Sequence, residues 1–220
     1  GWNVEEDSIF SKFKKSQAKR EEFRVMYIKN NTIAVVFRVV FLIICGAGLV
    51  MKLLYSRFSI DMIMSDFALI SNVLALIYFA YLIIARPGYE RGMLRGAVTI
   101  YMLVTFIVYY FIHFGVDADP LQNLSLAGYL LYFAAPLMAV LDYLLFCRKG
   151  WFTSYSPLIW TILPVVFNLA IFIINRIGIY VASIPYFNLL GLNMIVTLFV
   201  FLGVSYLLFA ADNLMAGRRR

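Results

Sequence analysis

Apolar positions along this chain fall into long runs rather than into alternation. Stretches rich in Leu, Ile, Val and Phe lie near residues 32–53, 60–85, 96–115, 124–147, 156–177 and 186–211. A bilayer crossing needs about 20 predominantly apolar residues, so each run predicts a membrane-spanning helix. The breaks between them carry turn chemistry or charge: Arg86-Pro87-Gly88 with Arg91 and Arg95, then Asp117 to Pro120, then Arg148-Lys149-Gly150, then the short turn from Arg176 to Pro185. The expected fold class is all-α, a polytopic six-transmembrane-helix bundle over residues 32–212. A basic segment, 1–31, precedes it and a basic tail, 213–220, follows. No internal repeat, low-complexity stretch or soluble domain interrupts the pattern.

The first 31 residues set Ile9, Phe10, Phe13, Phe23 and Met26 among Lys12, Lys14, Lys15, Lys19, Arg20 and Arg24. That mixture suits a cytoplasmic helix lying at headgroup level, in contact with anionic lipid. The apolar positions keep no clean helical period, so a solvated basic lead-in that only fixes topology is the alternative. A cleaved signal peptide is not expected, because acidic residues interrupt the charged stretch and the first apolar run continues into a full span.

Composition agrees with a lipid environment. Of 220 residues, 63% are hydrophobic and 14% charged, against roughly 45–50% and about 25% in soluble domains. The net charge of +7 does not indicate nucleic acid, because the cations flank apolar segments instead of forming a basic face. Lys and Arg number seven in residues 1–31, three in 86–95, two at 148–149 and three at the C-terminus, against Lys52, Arg57 and Arg176 on the other side. The positive-inside rule then puts both termini in the cytoplasm and the Asp117/Asp119 loop outside. Short loops and plain topology favour a bacterial plasma membrane.

The inventory limits the chemistry. His113, Cys45 and Cys147 are too few for a protein-ligated zinc or an iron–sulfur cluster, and no phosphate-binding glycine loop occurs. No metal and no cofactor is expected. The two cysteines are expected to stay reduced, with Cys147 either a small filler at a helix end or a palmitoylation site.

Charges at membrane depth need partners or water. Arg38, Asp142 and Asp212 lie near the cytoplasmic ends of the first, fourth and sixth spans and are expected to form one structural ion cluster. A second polar set lies in the outer half: Asp66, Ser71, Asn72, Tyr132, Asn168 and Asn193, with Asn188 at the outer end. These residues either join helices by hydrogen bonds or line an aromatic-walled ligand pocket. Pro136 and Pro164 free backbone carbonyls within their helices. His113 follows Tyr109-Tyr110-Phe111-Ile112, an ordinary interfacial setting.

The segment Phe67-Ala68-Leu69-Ile70-Ser71-Asn72-Val73-Leu74 resembles the Phe-Thr-x-x-Ser-Asn-x-Leu stretch of the androgen-induced-gene-like integral membrane family. Leu131-Tyr132-Phe133-Ala134-Ala135-Pro136 and Leu141-Asp142-Tyr143-Leu144-Leu145-Phe146 are similar to its His-x-x-x-Pro and Leu-Asp-Trp-Leu-Leu-Phe helix. Trp160 to Pro164 and Ile184-Pro185-Tyr186-Phe187 are similar to its later helices, so the resemblance spans roughly 35–212. It implies six spans and, for eukaryotic members, hydrolysis of fatty acid esters of hydroxy fatty acids by a threonine nucleophile and a histidine base. Here the threonine position is Ala68 and the histidine position is Tyr132. Alanine has no nucleophilic atom, and tyrosine, with an ordinary pKa near 10, is a weak base.

Three functional readings follow. One is a non-hydrolytic relative that binds a lipid or an apolar small molecule, or serves as a subunit alongside protein partners in a membrane complex. Another is a lipid-ester hydrolase using Ser71 or Tyr132 with Asp66 or His113. The third is a transporter or channel using the buried charges, although two repeated halves are not evident.

Overall fold

The computed structural model describes residues 28, 30–55, 57–58, 67–85, 92–107, 126–177 and 192–217. Among these the regular structure is helical throughout: α1 (Asn31–Tyr55), α2 (Phe67–Ala85), α3 (Gly92–Ile107), α4 (Leu126–Phe146), α5 (Ser156–Arg176) and α6 (Leu192–Met215). Five of them carry an apolar stretch long enough to cross a membrane, and α3 is a shorter apolar helix. The basic segment 1–27, Asp66, His113, the Asp117/Asp119 loop, Ile184 to Asn188 and the last three arginines lie outside the described residues, as does the side chain of Asn193.

Local chemistry sets the helix ends. Asn30 caps α1, its Oδ1 accepting the Thr32 N–H at 3.0 Å. At the other end Phe58 N–H returns to Leu53 O and Arg57 N–H to Leu54 O, a Schellman pattern with Arg57 at φ 51° where glycine is the usual occupant. Before α5, Thr153 and Ser156 exchange bonds: Ser156 N–H donates to Thr153 O and Thr153 N–H to Ser156 Oγ, both at 3.0 Å.

Two boundaries differ from the sequence expectation. The third helix begins at Gly92, not near residue 96, so Arg95 belongs to its first turn and not to the preceding loop. The sixth runs to Met215, past the apolar run that ends near residue 211, so that Asp212, expected at the end of this span, has helix on both sides. Both extensions carry a charge that finds a buried partner, and that partner removes the reason to end the helix before it.

Packing divides the helices into two groups. Helix α1 contacts α2 and α4, and α3 contacts α2 and α4, so α1–α4 close into a four-helix ring. Its core holds Phe41, Cys45, Leu49, Ala75, Phe79, Met102, Leu131, Tyr132 and Ala135. Helices α5 and α6 pack on each other and, through Trp160 and Phe201, against α3 in a second core with Phe67, Ile100, Tyr101 and Tyr143. Two glycines permit close approach. A Cβ on Gly48 would lie 2.9 Å from Leu131 of α4, and one on Gly96 only 2.1 Å from the Trp160 ring, which lies flush against α3.

Candidate functional site

Residues 130–134 of α4 form a π-helical turn, in which the Ala135 N–H returns five residues to Leu130 O. Continuing that register would ask residue 136 to serve Leu131 O, but Pro136 has no N–H. The Leu131 carbonyl is instead taken by Asn72 Nδ2 of α2 at 3.1 Å. Asn72 Nδ2 also donates to Ala68 O at 2.8 Å, while the Cys45 thiol of α1 donates toward Asn72 Oδ1 at 3.5 Å. A single fully buried amide thus joins three helices. Pro164 of α5 has the same effect four residues back, at Trp160 O, which accepts the Tyr101 hydroxyl of α3 at 2.8 Å. Trp160 Nε1 in turn donates to Met93 O at 2.9 Å.

Toward the other end of α4, Asp142 is 1% exposed and accepts two guanidiniums. Arg38 Nε of α1 reaches Oδ1 at 2.9 Å, and Arg95 Nη2 of α3 makes a short contact with Oδ2. One carboxylate thus joins α1, α3 and α4 through charge-assisted bonds to two guanidiniums. The expected Arg38–Asp142 pair is present. Asp212 is tied elsewhere, accepting Tyr143 O–H at 2.6 Å on Oδ1 and Gly150 N–H at 2.7 Å on Oδ2. Neighbouring residues of one helix therefore reach different partners: Asp142 holds α1 and α3, and Tyr143 holds α6. Arg95 is the member that spacing alone did not assign; its only sequence signal is the pair of small residues, Gly92 and Gly96, that let α3 approach its neighbours.

The 147–155 turn is secured by Lys149. Its ammonium donates to Tyr143 O at 2.6 Å, Cys147 O at 2.9 Å and Leu144 O at 3.1 Å, and sits 4.2 Å from the Tyr143 ring centroid. A lysine over the open carbonyls of a helix C-terminus suits the helix dipole. Burial pushes its pKa below the ordinary lysine value. Cys147 is buried, its thiol donating to Arg148 O at 3.4 Å, which suits a small filler and withholds the exposed sulfur that acylation needs. Neither Cys45 nor Cys147 is in a disulfide.

The described members of the second polar set, Ser71, Asn72, Tyr132 and Asn168, fall beside two different packing clusters. Tyr132 lies in the α1–α4 core with Ala68 packed against the same cluster, so the two positions singled out by the family resemblance share one environment. Lys52 Nζ lies 6.0 Å from the Tyr132 ring centroid. Ser71 shares a helix face with Phe67 and Leu74 of the second core, and its hydroxyl returns to Phe67 O at 2.8 Å. Asn168 lies on the buried stripe of α5 with Trp160 and Pro164, and its Oδ1 has no hydrogen-bond partner among the described residues. Ser71 thus shares its helix face with members of the second cluster, while Tyr132 belongs to the first. Among the described residues no group of three or more His, Cys, Asp or Glu is placed to hold a metal ion.

No protein-family model, curated protein or solved structure matches the chain. The resemblance stated above stands on its motif residues alone.

Proposed function

We propose that this chain is a six-span integral membrane protein, with both termini in the cytoplasm of a bacterial cell. In this reading the α1–α4 bundle holds a lipid or another apolar small molecule near Ala68 and Tyr132, or presents it within a membrane complex, without cleaving it. The observation that carries the proposal is the shared environment of those two residues in the bundle core. A hydrolytic pair needs a nucleophile and a base within hydrogen-bond reach. Ala68 offers no hydroxyl, and the nearby Ser71 hydroxyl is committed to its own helix at Phe67 O.

The test is hydrolysis of a fatty-ester panel by the purified wild type beside an Ala68→Thr/Tyr132→His double variant, with native mass spectrometry of copurified lipid. The proposal expects a silent wild type that carries lipid, and turnover in the double variant. Wild-type turnover, or a wild type free of lipid whose double variant is also silent, overturns it.

A further inference from the structure

The bundle buries two carboxylates and treats them differently. Asp142, 1% exposed, lies against two guanidiniums. Asp212, 0% exposed, is held by two neutral donors, the Tyr143 O–H at 2.6 Å and the Gly150 N–H at 2.7 Å. Among the described residues no lysine or arginine lies within ion-pair distance of it. Each donor engages its own carboxylate oxygen, an arrangement that suits the ionised form, which only accepts. Burial without a counter-charge favours the neutral acid instead. Opposed preferences of this kind bring both protonation states within reach, and an ionisable group inside a span is a functional candidate by default.

Few charged or titratable groups surround Asp212 among the described residues. On α4 they are Asp142 and the Tyr143 phenol. On α3 they are Arg95, which is bonded to Asp142, and Tyr101, whose hydroxyl is committed to Trp160 O. The turn after α4 brings Cys147, Arg148 and Lys149, and the Lys149 ammonium is spread over three carbonyls. Helix α5 presents none before Arg176 at its far end, and α6 carries no other charge, its Tyr206 being exposed. Gly150 joins the site to the surface: it is buried at φ 86°, and Arg148 and Trp151 on either side of it are exposed.

We infer that Asp212 is a reversible proton-binding site whose occupancy decides how firmly the 147–155 turn is held against α6. A proton reaching the carboxylate from solvent at the turn neutralises it by bonding to one oxygen. On Oδ2 the proton competes with the Gly150 N–H. On Oδ1 it makes the acid the donor and turns the Tyr143 hydroxyl into the acceptor. Either way one of the two bonds between α6 and the 143–150 stretch is weakened or reversed. Asp142 is excluded from this role by its two guanidiniums, which hold it ionised. The inference concerns other atoms than the surroundings of Ala68 and Tyr132 and does not rest on a lipid being held there.

The experiment uses the full chain in phosphatidylcholine nanodiscs. Infrared difference spectra between about pH 8 and about pH 5 are expected to show a protonated-carboxyl C=O band that is absent in Asp212→Asn and displaced in Tyr143→Phe. In parallel, N-ethylmaleimide modification of Cys147, buried within the turn, reports release of the turn. Each rate is compared with that of Asp212→Asn at the same pH, so that ionisation of the thiol cancels. Asparagine keeps one acceptor and replaces the other by a donor, as the protonated acid does. Asp212→Asn is therefore expected to react about tenfold faster than wild type at about pH 8, and within about twofold of it at about pH 5. Tyr143→Phe removes one oxygen and keeps the ring beneath Lys149, and its displaced band decides the matter alone where Asp212→Asn does not fold. No such band in wild type, a band that survives Asp212→Asn or that Tyr143→Phe leaves in place, or equal Cys147 rates in wild type and Asp212→Asn at the higher pH overturns the inference and leaves Asp212 a fixed acceptor.

Discussion

Asn72 Nδ2 donates to the Leu131 carbonyl at 3.1 Å, across two helices, at the turn where Pro136 leaves that carbonyl without an N–H. The Tyr101 hydroxyl and Trp160 O repeat the arrangement around Pro164. Bilayer interiors contain no water to take up a freed carbonyl, so a proline in a span requires a donor from a neighbouring helix. Each proline thereby selects which helix lies beside it: α2 beside α4, and α3 beside α5. The π-helical turn and the kink-prone proline are joined to the fold through named side chains and are not left as local irregularities.

Removing the donor should expose that dependence. Asn72→Leu is expected to lower stability by about 1–3 kcal/mol, the cost of leaving a buried acceptor unsatisfied. Pro136→Ala supplies an N–H at position 136, and in that background the same substitution should cost at least about 1 kcal/mol less. Reversible denaturant unfolding in mixed micelles measures all four corners of the cycle. Strictly additive effects would show that the Leu131 carbonyl does not depend on Pro136.

The helices themselves were legible as apolar runs, because span length is dictated by bilayer thickness and needs no knowledge of neighbours. Pro136 and Pro164 were legible as sites of freed carbonyls for the same reason: the missing N–H is a local property. Their donors were not. Asn72 and Tyr101 lie 59 residues from the carbonyls they serve, and only packing brings them there. The ion cluster shows the same division. Arg38 and Asp142 were matched by depth, whereas Arg95 looked like a loop cation because the sequence does not reveal that Gly96 lets α3 seat against Trp160. Asp212, expected in the same cluster, instead accepts from Tyr143 and Gly150, a direction around α6 that only packing against α4 defines.

The carboxylate of Asp142 is expected to be the most sensitive charged group of the bundle. Asp142→Leu leaves the Arg38 and Arg95 guanidiniums without it in a buried setting and should cost about 3–5 kcal/mol. Asp142→Asn should fall between wild type and Asp142→Leu, because an amide oxygen still accepts one bond. Unfolding midpoints and the yield of folded protein in detergent report the difference. A loss under about 1 kcal/mol for Asp142→Leu, the size seen for solvent-exposed pairs, would mean that water reaches the cluster.

Gly96 is expected to tolerate no side chain. An added Cβ would stand 2.1 Å from Trp160 Cζ2 and 2.7 Å from Cη2, which forces the indole away from Met93 O and from α3. Gly96→Ala should destabilise by about 1–3 kcal/mol through overpacking. Trp160→Phe shortens the ring, so the double variant should be more stable than the sum of the two single losses predicts. Additivity between positions 96 and 160 in the same unfolding assay would contradict the contact.

Lys149 should give the protein a pH dependence of definite sign. Burial lowers its folded-state pKa, while in the unfolded chain it stays protonated up to the ordinary value of 10.5. Between those two values the unfolded state holds more protons than the folded one, so stability rises with pH across that window. Below the window both states carry the charge, and the full cost of burying it is present. Lys149→Met removes the titrating group, so the difference in stability between wild type and variant should move in favour of wild type as pH is raised toward 10.5. Burial is the largest influence on this pKa; the nearby Asp212 and Asp142 carboxylates act in the opposite direction, as do the three carbonyl bonds at the end of α4, which favour the ammonium. Denaturant unfolding of both proteins from neutral pH to 10.5 checks this. A wild type that instead loses stability relative to Lys149→Met over that range would show that the carbonyl bonds outweigh burial.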